Sequence, residues 1–160
     1  MIEVRKPVPI ADLIGRRFAS IIGLKKDSEE VTFIMSDGNV YRMYHEKDCC
    51  ENVSIVDAPD AYDIAQCLGE IVVGATEESR EATIEDAVDD DSGTWTFYGI
   101  QTAKGKLAIR WLGTSNGYYS ESVDFQLLFT GEAVAPAVVR CDPTVQPLPE
   151  VAGVRRIDLD

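Results

Sequence analysis

Val31-Thr-Phe-Ile-Met-Ser-Asp-Gly-Asn-Val-Tyr-Arg-Met-Tyr-His45 is the stretch whose reading decides the fold class. Val31, Phe33 and Met35 alternate with Thr32, Ile34 and Ser36, the period of two that sends successive side chains to opposite faces of a strand. Asp37-Gly38 is the dipeptide suited to a tight turn that needs positive φ. Val40 to His45 then resumes the alternation, with Tyr41, Met43 and His45 on one side. The stretch predicts a β-hairpin.

The same grammar recurs on both sides of it. Upstream, residues 1–17 read as an N-terminal arm ending in a helical turn around Ala11-Asp-Leu-Ile-Gly15, and Phe18 to Leu24 reads as a first strand. Downstream, Asn52 to Val56 is a short strand, and Asp60 is placed to cap a helix over Ala61 to Leu68 that Gly69 stops. Ile71-Val-Val73 begins another strand. Thr94 to Thr102 leads through Lys104-Gly105 to Leu107-Ala-Ile-Arg-Trp111, a second hairpin. After Asn116-Gly117, Val123, Phe125, Leu127 and Phe129 alternate with polar Asp124 and Gln126, as in an antiparallel strand buried on one side. The expectation is a mostly β, single-domain antiparallel meander of about six to eight strands, closing into a barrel or sandwich, with one or two short helices. The β-rich domain spans 18–130, with an acidic insert at 77–91, and an extended proline-rich C-terminal tail covers 131–160.

Composition narrows the function classes. The chain has 160 residues, 45% apolar and 27% charged, enough for a real core and unlike a disordered segment. Its formal net charge of −13 repels phosphate backbones and makes nucleic acid a poor partner. Arg5, Lys6, Arg16, Arg17, Lys25 and Lys26 form a basic bias near the N-terminus, but no aromatic ladder is interleaved with it. Met1-Ile-Glu-Val-Arg-Lys-Pro7 has no apolar core of signal-peptide length, and no later run is long enough to span a bilayer. Cytosolic residence without a membrane partner is the expectation, and with it reduced thiols at Cys49, Cys50, Cys67 and Cys141. In the insert, eight acids at 77, 78, 81, 85, 86, 89, 90 and 91 face Arg80 alone; they lack the spacing of a calcium loop and read as a solvated loop or weak helix.

Two dense stretches hold the candidate chemistry. In the first, His45, Asp48, Cys49, Cys50 and Glu51 are all metal-ligand types, yet the only histidine stands beside adjacent cysteines that point to opposite faces of an extended backbone. No metal site and no cofactor follow, and a structural turn with buried thiols is the plainer reading. A Cys49–His45 nucleophilic pair would need the imidazole in reach and an oxyanion hole, which spacing alone does not supply. In the second stretch, Ser115-Asn-Gly-Tyr-Tyr-Ser-Glu121 carries hydroxyls and aromatic planes on a turn, suited to binding a base or sugar or to covering a barrel mouth. Both stretches are rich in groups costly to bury unpaired, so they are expected to lie together. His45, Asp48, Glu51, Asn116, Tyr118, Tyr119 and Glu121 form the expected ligand or partner surface, with no catalytic residue among them.

His45-Glu-Lys-Asp-Cys-Cys-Glu-Asn-Val53, Thr94-Trp-Thr-Phe-Tyr98 and Arg110-Trp-Leu-Gly-Thr-Ser-Asn-Gly-Tyr-Tyr-Ser-Glu-Ser-Val-Asp-Phe125 resemble a family of small, phage-encoded proteins of unknown function. The resemblance covers residues 11–129 and implies a bacteriophage or prophage origin, hence the host cytoplasm or the virion. It supplies no activity and transfers no functional residues. The acidic insert and the tail depart from the family's compact pattern. Three readings follow: an accessory protein that binds a host protein, a second copy of itself or a small nucleotide-like ligand; a virion component; and a small Cys/His hydrolase.

Overall fold

The alternating segments pair into two antiparallel sheets in a computed structural model that describes residues 1–87 and 90–131. The strands are β1 (Ile2–Pro7), β2 (Phe18–Ile22), β3 (Glu30–Met35), β4 (Val40–Tyr44), β5 (Asn52–Asp57), β6 (Val72–Glu81), β7 (Ser92–Thr102), β8 (Lys106–Ser115) and β9 (Asp124–Thr130). Helix α1 (Ala61–Cys67) and the single turn α2 (Ile84–Ala87) complete the set, with a 3-10 turn at Ile10–Leu13. The first sheet runs β1-β9-β4-β3-β2 and the second β5-β8-β7-β6. Both stay open at their edges, so the arrangement is a sandwich and not a barrel. Phe33, Met35, Tyr41, Met43 and Phe125 face Ile55, Ile100, Leu107, Ile109 and Trp111 across the shared core, all 7% exposed or less.

The local reasons match the sequence. At the β3–β4 turn Gly38 has φ +92, and the Asp37 carboxylate accepts the Asn39 N–H at 2.9 Å. Tyr41, buried on the inner face, stacks on Phe125 with ring centres 5.4 Å apart and donates to Asp12 at 2.6 Å; burial, then Asp12, pushes its phenol up to about 12. The Asp60 side chain accepts the Asp63 N–H at 2.8 Å and starts α1 as a cap.

There are nine strands among the described residues, one more than the six to eight expected, and one of the expected strands is longer than its pattern showed. The N-terminal arm contributes β1, which pairs with β9 through its main chain while its side chains stay largely in solvent, so it carries no hydrophobic pattern. The acidic insert is the second correction. Glu77, Glu78 and Glu81 belong to a ten-residue β6 that pairs along its length with β7, and the insert then turns into α2. An outermost strand can keep its carboxylates in water, which hides it from an alternation test. Beyond Gly131 the predicted proline-rich tail, with Cys141, lies outside the described residues.

Candidate functional site

Two loops sit side by side at one end of the sandwich, and each closes on a glutamate. Between β4 and β5, residues 45–51 wrap the Glu51 carboxylate. One of its oxygens lies 2.7 Å from His45 Nε2 and accepts the Asp48 N–H at 2.8 Å; the other accepts the Cys49 N–H at 3.0 Å. His45 Nδ1 lies 2.7 Å from the Ser122 carbonyl oxygen. Both ring nitrogens thus face an oxygen, a carbonyl on one side and a carboxylate on the other. The two side chains are 5% and 0% exposed. The Asp48 N–H, then His45, then the Cys49 N–H outweigh burial and hold the Glu51 carboxyl down at about 2.

Between β8 and β9, Glu121 plays the matching part with hydroxyls in place of an imidazole. Thr94 Oγ1 donates to it at 2.8 Å, Ser115 Oγ donates to its other oxygen, and the same Ser115 oxygen accepts the Gly117 N–H at 2.9 Å. Gly117, at φ +89, makes the turn. Gly113 is a second required glycine: a Cβ there would stand 2.4 Å from the Glu121 carbonyl oxygen, so the loop's return path runs against the β8 backbone.

The loops meet, as the shared density of polar groups implies. Besides the His45–Ser122 contact, the Glu46 N–H donates to the Asp124 carboxylate at 2.9 Å. The seven residues expected on a common surface divide into two sets. His45, Glu51 and Glu121 are turned inward and fully engaged, so they brace the loops. Asp48, Asn116 and Tyr118 lie outside, with Tyr118 82% exposed, and Tyr119 is half-buried. The tyrosine rings meet edge to face with centres 5.0 Å apart. Sequence reasoning missed Thr94, Ser122 and Gly113. Thr94 and Ser122 look like ordinary small polar residues, and only the fold brings each to a buried acceptor or donor.

The cysteines require a correction. Cys49 and Cys50 were expected as reduced, shielded thiols pointing apart; they are bonded to each other as a disulfide and both are exposed. The chain bends at both residues and is not extended there, so neighbouring side chains converge. Cys67, in α1, is a free and buried thiol. Among the described residues no group of three or more His, Cys, Asp or Glu side chains gathers to hold a metal ion. No described helix is long and apolar enough to cross a membrane.

Beside the first loop, Arg42, Tyr44, His45, Lys47 and Asn52 line a cavity of about 150 Å³, where the Arg42 guanidinium lies 3.7 Å over the Tyr44 ring and 3.0 Å from Glu30. That volume is below the several hundred cubic ångströms of a drug-sized ligand pocket.

A family model described as a domain of unknown function, DUF7448, matches residues 11–125, and the chain belongs to that family. No curated protein and no solved structure matches it.

Proposed function

We propose that the protein is a non-catalytic accessory factor of phage origin that works in the host cytoplasm by docking a protein partner on the face formed by Asp48, Asn116, Tyr118 and Tyr119. The observation that carries this reading is Tyr118. An aromatic ring 82% exposed would ordinarily be a liability, yet it rides on a loop fixed from below by Glu121, Ser115 and Thr94 and from the side by His45. An aromatic anchor on a loop that is already ordered is what a protein interface uses, because little conformational entropy is lost on binding. The resemblance to small phage-encoded proteins supports the origin.

Two alternatives fit less well. At the two loops, a nucleotide-like ligand calls for a larger cavity than the 150 Å³ one found there and for a parallel ring plane, where Tyr118 and Tyr119 stand at 90°. A Cys/His hydrolase calls for a free thiolate and a free base; the Cys49 sulfur is bonded to Cys50 and both His45 nitrogens are occupied.

The test is site-specific photocrosslinking in infected cells, with the probe at Tyr118 and, as a control, at Tyr62, which is 70% exposed on α1. A discrete adduct from position 118 alone, containing a host protein, is the expected result. An adduct with a phage structural protein would move the assignment to the virion. Equal labelling from both positions would remove the loop as a docking face.

A further inference from the structure

The second sheet ends on a strand whose outer side is open over most of its length. At its start β6 is closed off: the Gly15 N–H donates to Val72 O at 2.8 Å, the Val72 N–H donates to Arg16 O at 2.9 Å, and Arg17 bridges Ile71. From Ala75 to Glu81 no described segment lies against it. The register fixes which groups are left over. Glu81 stands opposite Thr94, so Ala82 stands opposite Gly93, and the Ala82 N–H donates to Gly93 O at 2.9 Å. That is a hydrogen-bonded antiparallel pair, and such pairs fall on every second residue. Residues 76, 78 and 80 therefore bond to β7, while Ala75, Glu77, Ser79 and Glu81 aim their N–H and C=O groups outward.

Three further features describe what would fill this edge. A groove of about 450 Å³ lined by Glu78, Ser79, Arg80 and Phe97 opens beside it. The Arg80 guanidinium sits 5.3 Å from the Phe97 ring centre. That leaves Glu77, Glu78 and Glu81, all exposed, as the charges presented along the strand. A second copy of this strand would bring the same carboxylates together, in molecules that each carry a net charge of −13.

The geometry points to β6 as a docking edge for an extended, Lys- or Arg-rich segment of a protein partner, which adds as an outer strand between Ala75 and Glu81. The partner's main chain pairs with Ala75, Glu77, Ser79 and Glu81. Its basic side chains on one face meet Glu77 and Glu81, and an aliphatic stem on the other face lies beside Glu78 in the Phe97 groove. This inference goes beyond the tyrosine-loop reading and stands without it.

The probe is a peptide of alternating Lys and Val long enough to span Ala75 to Glu81, with two controls. One replaces each Lys by Glu; the other keeps the charges but N-methylates alternate amides, which removes strand pairing. Titration calorimetry on the full chain should detect the Lys peptide, with binding at least about tenfold weaker for either control and for Ser79→Pro, whose N–H points outward. Hydrogen exchange keeps the test valid if that variant misfolds. On peptide binding, the amides of Ala75, Glu77, Ser79 and Glu81 should slow about tenfold or more, while those of Thr76, Glu78 and Arg80 change little. Equal binding of the N-methylated peptide would reduce the contact to charge attraction and overturn the proposal. So would protection without the alternate pattern, or a dimer in sedimentation that Ser79→Pro dissolves, since a second copy would then occupy the edge.

Discussion

The loops at 45–51 and 115–121 solve one problem in two ways. Each encloses a glutamate and hangs its backbone on it, but Glu51 is answered by an imidazole and two amides, Glu121 by two hydroxyls. Neutral donors can hold a carboxylate without fixing its charge. The contacts to Glu51 hold its carboxyl down at about 2, so they favour the ionised form. The first loop therefore ties its geometry to its ionisation, and the second ties its geometry to shape, through Gly113 and Gly117.

The largest effect should come from removing the histidine on one side. His45→Ala leaves the Glu51 carboxylate buried without its imidazole partner and the Ser122 carbonyl without its own, at a cost of about 3 kcal/mol or more in urea unfolding. A loss no larger than that for an exposed control would show that water replaces the imidazole. Acid sharpens the same point. The Glu51 carboxyl is held at about 2, below its ordinary 4.5, so its contribution is complete above about pH 4.5 and disappears as the pH falls towards 2. Glu51→Gln removes this titration, and its stability should fall less steeply across that window than that of the parent chain. Parallel curves would locate the acid sensitivity elsewhere.

The second loop should break by crowding. Gly113→Ala places a methyl 2.4 Å from the Glu121 carbonyl oxygen, which is backbone and can move only with the whole turn; about 2–3 kcal/mol is expected, with loss of protection at Ser115 and Gly117 in hydrogen exchange. Removing charge alone should do less. Glu121→Gln keeps an oxygen for Thr94 or Ser115 and leaves no buried cation behind, so about 1 kcal/mol is expected. A Glu121→Gln loss equal to that of His45→Ala would erase the distinction between the loops.

This contrast also separates what could be read in the sequence from what could not. Strands with one buried face declared themselves, because Val31, Phe33, Met35 and Phe125 must alternate to reach the core. β1 and the outer half of β6 did not, because an edge strand is held by main-chain bonds that every residue possesses. The two loops were visible as concentrations of polar residues, and their adjacency follows from the need of such groups to satisfy one another. Their roles were not visible. A histidine with two acceptors and a histidine with a free nitrogen look the same in sequence, and so do a glutamate on the surface and one wrapped by its own loop. The bend at Cys49 and Cys50 lies beside the Glu51 contacts and has no signature of its own.

The smallest effect concerns the acidic segment, where one carboxylate stands apart from the rest. Asp86 accepts the Trp95 indole N–H at 3.1 Å and the Thr83 N–H at 3.3 Å, while Thr83 Oγ1 accepts the Asp86 N–H at 3.2 Å. Trp95, then Thr83, hold its carboxyl below the ordinary range. It pins α2 over Trp95, where Ala82 and Ala87 close on Gly93 so tightly that a Cβ on that glycine would stand 2.9 and 3.3 Å from theirs. The exposed Glu78, Glu85 and Asp90 have no such duty, and solvated like charges repel one another more than they stabilise. Replacing those three by Gln or Asn should leave the melting temperature nearly unchanged, or raise it slightly at low salt. Asp86→Asn should lower the melting temperature measurably, with a shift in Trp95 fluorescence as the indole loses its charged acceptor. If all four substitutions behave alike, α2 is not fastened through Trp95, and the whole acidic stretch is ordinary solvated surface.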